Sequence, residues 1–228
     1  MRIIHISDIH WRGISRHKEY ITAFEMLFTE LRELKPDIIV NTGDTFHTKT
    51  QGITPEIIEQ LAWMFRSLAD IAPSYTILGN HDGNLTNLSR KDVITPIHTA
   101  INHPKAHLLR ESGVYRVEEI EKPVYLCAFS PFDKKNWENV KPVEGAINIA
   151  LYHGSIEHSK SDTGWVMEAD HAEDDVSIFK QFDFTLLGDI HKQQFMSTRT
   201  VELEVSEEEL LFLQEKYGDA AVEILETI

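Results

Sequence analysis

Two periodicities alternate along the first eighty residues. The short apolar runs "RIIHIS", "DIIVN" and "YTIL" read as buried strands. Between them lie apolar stripes at helical spacing, first Tyr20, Phe24, Leu27, Phe28 and Leu31, then Ile58, Leu61, Phe65 and Leu68. Pro36 closes the first helix, and Thr54 with Pro55 supplies the N-cap and first position of the second. Strand, helix, strand, helix, strand is the order that builds a parallel sheet covered by helices.

Further on, "AHLLR", "GVYRVEE", "VYLCAFS" and "INIALYH" follow one another too closely for a helical crossover between every pair, which predicts some antiparallel pairing. "DDVSIFKQF" reads as a short Asp-capped helix leading into the strand "FTLLG". From Ser206, "SEEELLFLQEKYG" has the pattern of an acidic amphipathic helix that stops at Gly218. The expected organisation is one α/β domain over 1–197 and an acidic helical tail over 198–228. No internal repeat or glycine-serine linker interrupts it.

At 228 residues and 42% hydrophobic, the chain is long enough for one well-buried domain. A single cysteine, Cys127, excludes an intramolecular disulfide framework, and its apolar setting fits an inert packed thiol in a reducing compartment. No apolar run approaches the ~18 residues needed to span a bilayer, and the N-terminus carries charge too early for a secretory signal. A cytoplasmic location with no membrane contact is expected. The net charge of -15 argues against a protein that coats nucleic acid through a basic surface. A phosphate-bearing substrate would then need a local source of positive charge, and bound metal ions are one.

Ligands of open α/β sheets bind beyond the carboxyl ends of strands. Five strand ends here present polar groups: Asp8 and His10, Asp44, Asn80 and His81, His153, and Asp189 and His191. Gly43, Gly79 and Gly188 are expected to let the chain turn sharply there. Carboxylate, amide and imidazole donors without thiolates suit Mn, Fe, Mg or Zn. Two such ions about 3.5–4 Å apart activate water and clamp an in-line phosphoryl displacement, so phosphoester hydrolysis is the chemistry this set points to. His47, three residues after Asp44, is close enough for its loop to bring it to the same place.

Taken singly these signals are weak: Asp-x-His triplets arise by chance, Gly-Asp is an ordinary turn, and a lone His153 reads as a core histidine. The ordered set carries the reading. His5 is expected to pack within its strand, while His17, His98, His103, His107, His158 and His171 read as loop or surface residues. No G-x-S-x-G elbow or Walker A loop is present. Lys49, Lys134, Lys135 and Lys192 are scattered; Lys192, after His191, is the candidate phosphate contact.

The series resembles the calcineurin-like metallophosphoesterases, and "GDTFH", "GNHD" and "LLGDIHKQQ" are similar to the SbcD-type nucleases of double-strand-break repair, over roughly residues 1 to 195. The resemblance implies a four-layer α/β/β/α sandwich with mixed sheets. It implies one ion held by Asp8, His10, Asp44 and His191, and a second by Asp44, Asn80, His153 and Asp189. His81 would contact the scissile phosphate, His47 would serve catalysis beside it, and Asp82 would orient the loop. Two departures stand out. Asp189 occupies a position where the family usually has histidine, which should favour Mn or Mg over Zn. The second is length, since SbcD-type proteins continue with more sheet, a DNA-binding cap and an ATPase-docking segment where this chain has an acidic helix. The resemblance implies a manganese-dependent DNA nuclease with an SbcC-type ATPase partner, and raises a homodimer. The alternatives are a phosphoesterase acting on nucleotides or cyclic nucleotides, and a weakly catalytic module that docks a partner through Leu210, Leu211, Leu213 and Tyr217.

Overall fold

A computed structural model describes residues 1–12, 16–47, 53–161, 163–168 and 176–194. The helix expected from Ser206, His171, Lys49 and the Asp cap expected before Val176 lie outside them. One compact unit spans Met1–Lys192; of the second, Gln193–Ile228, only the first two residues are described.

The first half of the chain builds a four-stranded parallel sheet in the order β1-β2-β3-β4: β1 (Ile3–Ile6), β2 (Ile38–Asn41), β3 (Ser74–Thr76) and β4 (Ala106–Leu108). Its crossovers are α1 (His17–Leu34), α2 (Pro55–Ile71) and α3 (Ile94–Ile101). Lys35, with φ 49°, ends α1 by donating its N–H to Leu31 O just before Pro36. Thr54 Oγ1 caps α2 by accepting from Ile57 N. The inward stripe of α2 is Ile57, Leu61, Met64, Phe65 and Leu68, all buried, whereas Ile58 is exposed. Leu61, Phe65 and Leu68 face inward as expected, and Ile57, four residues before Leu61, takes the inward place expected for Ile58. The short helix α3 was not foreseen. Pro96 falls on its third residue, where the missing N–H would have no intrahelical partner, and Asp92 accepts from Thr95 N at 2.6 Å.

The second sheet has the order β5-β6-β7-β8: β5 (Gly113–Arg116), β6 (Val124–Phe129), β7 (Ile147–His153) and β8 (Phe184–Gly188). Only β5 and β6 run antiparallel; β6, β7 and β8 are parallel. "AHLLR" forms β4, which joins the first sheet in parallel because α3 supplies the crossover.

β2 shows why the layers form. Ile39 packs with Phe24, Phe28, Leu61 and Phe65 under the helices, while Ile38 and Val40 face Leu126, Ala128, Ile149 and Leu151 of the other sheet. Beyond the second sheet lie the rings of Phe129, Trp137, Tyr152, Phe179 and Phe182. Trp137 and Phe179 come from 3-10 turns, Lys134–Asn139 and Val176–Phe179. The fourth layer is thus made of 3-10 turns among the described residues, including the segment expected as a short helix. Cys127 is buried between strands and its thiol is pushed up to about 12 by burial.

Several histidines depart from expectation. His17 and His98 are buried, and His98 packs edge-on against Phe65 with its pKa lowered to about 4 by burial. His103 pairs with Asp70, and His107 stacks on Tyr75 while pairing with Glu119. No described helix is long and apolar enough to cross a membrane.

Candidate metal centre

Parallel registers bring the carboxyl ends of β1, β2 and β3 level, Ile6 opposite Asn41 and Asn41 opposite Thr76, and β7 and β8 end together at His153 and Gly188. The loops beyond these ends are laced together by backbone bonds from Asp8 N to Gly43 O, His10 N to Asp44 O and Trp11 N to Thr45 O. Asp8, His10, Asp44 and Asp189 all have positive φ, between 49° and 79°. Each such non-glycine residue costs about 1–2 kcal/mol, a strain that the surrounding bonds must over-determine.

Gly43 turns the chain as expected, with φ 99°. Gly79 and Gly188 have a different reason: a Cβ on Gly79 would lie 2.2 Å from Asp44 Oδ1, and one on Gly188 2.5 Å from Thr42 O and 2.6 Å from His153 Nδ1. These two are needed for close approach, which a turn-based reading of the sequence did not anticipate.

The structure brings all nine sequence-predicted residues to one face. His10 Nε2 is 3.2 Å from His191 Nε2, and both are under 4 Å from Asp8 Oδ1. Around Asp189 Oδ1 stand Asn80 Nδ2 at 3.2 Å and His153 Nε2 at 3.8 Å. Asp44 stands between the two groups, with Oδ1 3.3 Å from His153 Nε2 and Oδ2 3.7 Å from His10 Nε2. His81 is tethered by its own N–H to Asp44 Oδ1 at 2.8 Å and by its ring to His47 O. The His47 and His81 rings are near parallel, 6.1 Å apart, and each meets His10 edge-on.

Supporting residues beyond the predicted set come from the same loops. Thr42 O accepts from His153 Nδ1 at 2.7 Å, which fixes the tautomer and turns Nε2 toward Asp44. Buried Asn41 accepts from Gly43 N and donates to Thr45 Oγ1. A buried asparagine ending an apolar strand was the sequence signal for this role. Asp82, fully buried, accepts from Gly79 N at 2.9 Å and Phe46 N at 2.8 Å, and so ties the β3 loop to the β2 loop. Burial pushes its carboxyl up to about 7 against those two bonds.

The electrostatics ask for positive charge at the centre of this face. Burial disfavours a charged His153, yet Asp44, Asp8 and Asp189 push its pKa up to about 9. Burial also raises Asp189. Burial opposes ionisation of Asp44, but His153, 3.3 Å away, holds its carboxyl below the usual value. His153 Nε2 and His10 Nδ1 are buried without a hydrogen-bond partner. Two ligands each about 2.1 Å from one ion stand about 3.0–3.4 Å apart, and the His10–His191 and His153–Asp44 separations fall in that range. Asp8, His10 and His191, and likewise Asp8, Asp44 and His153, are grouped closely enough to hold an ion. The donor set therefore fits divalent metal.

Over residues 1–193 the sequence matches the family described as Calcineurin-like phosphoesterase. It is 35% identical over 231 residues to "Uncharacterized protein R555" of Acanthamoeba polyphaga mimivirus, covering 96% of this chain and 16% of that protein's length. Among solved structures it is similar to a nuclease MPE of Pseudomonas putida, at 14% identity and a TM-score of 0.36, over 68% of this chain and 64% of that one. The chain belongs to the calcineurin-like phosphoesterase family.

Proposed function

We propose that the chain is a two-metal phosphodiesterase acting on DNA, in the manner of the SbcD-type nucleases. The observation that carries the proposal is the position of Asp44, one oxygen directed at His153 and the other at His10, as a carboxylate shared by two ions requires. Asp8, His10 and His191 would complete one site, and Asn80, His153 and Asp189 the other. Bound there, the ions would activate water and balance the charge that grows on the phosphoryl oxygens. Asp44 also fixes the His81 backbone, so His81 presents its half-exposed ring beside both groups, where it can protonate or stabilise the leaving oxygen. In the nuclease branch that the chain resembles, the histidine of "GDTFH" also serves catalysis, and His47 lies with its ring near parallel to that of His81, 6.1 Å away. Manganese is the metal proposed, because Asp189 offers a hard oxygen. An SbcC-type ATPase as partner remains part of the proposal.

The net charge of -15 favours a second reading, hydrolysis of a small phosphodiester such as a cyclic nucleotide, which needs no long basic groove. Manganese-dependent release of nucleotides from linear DNA, measured beside bis(p-nitrophenyl) phosphate and mononucleotides, separates the two. DNA cleavage that vanishes in Asp44→Ala supports the nuclease. With metal shown to be bound, activity on small esters alone replaces it with the second reading.

A further inference from the structure

We propose that Arg12 forms a subsite for the phosphate that neighbours the scissile one in a polynucleotide strand. The proposal rests on the nucleic-acid reading above and assigns a determinant of substrate class within it. Trp11 is fully buried, stacks on Tyr20 at 4.7 Å, donates Nε1–H to Gln60 and pairs with buried Phe46 in a parallel bridge. Tyr20 holds the same loop from outside, donating to His10 O at 2.6 Å. Side chains alternate along such a pair, so burial of Trp11 and Phe46 sends the next residues, Arg12 and His47, to the opposite, open side. His47 N bonds Trp11 O at 3.2 Å, which keeps the two in step. Arg12 is exposed there, on a backbone anchored by a buried indole.

Other arginines are engaged elsewhere: Arg16 by Glu19, and Arg110 by Asp92 and Glu111. Among the described residues no carboxylate pairs with Arg12. Its charge reaches the reaction face, since after burial it is the next influence holding His47 below its usual pKa. A guanidinium grips a phosphate with two parallel bonds, which an ammonium cannot reproduce. In an acidic protein this cation near His47 distinguishes a strand, which has a further phosphate to offer, from an ester with one.

The test compares full-length wild type, Arg12→Gln and Arg12→Lys on a short single-stranded oligonucleotide and on bis(p-nitrophenyl) phosphate, over a salt series with manganese. Arg12→Gln should raise KM for the oligonucleotide about tenfold and reduce the log–log salt slope by about 0.7, the share of one contact on a single strand. Its kcat/KM on the small ester should stay within about twofold. Arg12→Lys should restore the salt slope but not the KM. Equal losses on both substrates, or a shifted pH profile on the small ester, would mean that Arg12 acts through His47 and would overturn the subsite. So would an oligonucleotide KM unchanged in Arg12→Gln while wild type cleaves it. If wild type hydrolyses only the small ester, the nucleic-acid reading and the subsite fall together; if it hydrolyses neither with metal bound, the phosphodiesterase reading falls with both.

Discussion

Gly79→Ala is the sharpest perturbation of the loop lacing. The new Cβ would lie 2.2 Å from Asp44 Oδ1, 2.3 Å from Asp44 N and 2.8 Å from Asp44 Cγ, where ordinary contact begins at 3.4 Å. Asp44 would have to retreat by about 1.2 Å, the difference of 3.4 and 2.2. Because its backbone N clashes as well as its carboxylate, rotating the side chain does not relieve the overlap. Nor can the chain before it yield freely, since Gly43 has φ 99° and already sits against Gly79. Overpacking costs about 1–3 kcal/mol, and weakening the bond from His81 N to the carboxylate adds about 1.5–3 kcal/mol. A loss of about 4 kcal/mol lowers Tm by roughly 10 °C in a domain of this size. Manganese affinity should fall at both ions together, because the displaced carboxylate serves both. Calorimetric melting and manganese titration read the two effects. Gly145→Ala, at positive φ but in open space, is the control and should cost about 1 kcal/mol with metal affinity unchanged. Gly79→Ala with wild-type Tm and manganese affinity would refute the argument that close approach of this loop sets Asp44.

His81→Ala should leave manganese content intact by elemental analysis and lower kcat on a phosphodiester by ~10²-fold or more, the scale of losing one acid or electrostatic group; metal loss equal to that of Asp44→Ala would contradict it. His153 sets a pH dependence with opposite signs in the two forms. Its folded pKa of about 9 exceeds the ordinary 6.5, so in the ion-free protein it contributes stability that is full below pH 6.5 and lost as pH rises through 9, about 3 kcal/mol if no other group intervenes. Manganese must displace that proton, so affinity should rise with pH over the same window, towards tenfold per unit. Urea melts of the ion-free protein and manganese titrations at pH 6, 7, 8 and 9 check both. Asp189→His should shift the preferred metal from manganese toward zinc in competitive binding, since imidazole is the softer donor.

Much of this is legible in the sequence. The alternation of "RIIHIS", "DIIVN" and "YTIL" with helical stripes forecast the first, parallel sheet, the close spacing of "GVYRVEE" and "VYLCAFS" forecast the antiparallel pair of the second, and the polar groups beyond the strands mark the candidate face. The helix phase failed at Ile58 because Ile57 and Ile58 are chemically equal, and only packing against Leu61 and Phe65 decides between them. α3 escaped notice because eight residues containing Pro96 carry too little periodicity. Gly79 and Gly188 were assigned to turning, whereas their need is space for Asp44, Thr42 and His153, which are distant in sequence. Arg12 went unremarked for a similar reason: its meaning comes from the bridge that pairs Trp11 with Phe46 and sets it beside His47.

Anomalous diffraction from a crystal soaked in manganese tests the central claim most directly. Two peaks about 3.5–4 Å apart are predicted, one within bonding distance of Asp8, His10 and His191, the other of Asn80, His153 and Asp189, with Asp44 reaching both. A single peak that Asp44 does not touch, or none at a manganese concentration that supports hydrolysis, would contradict it.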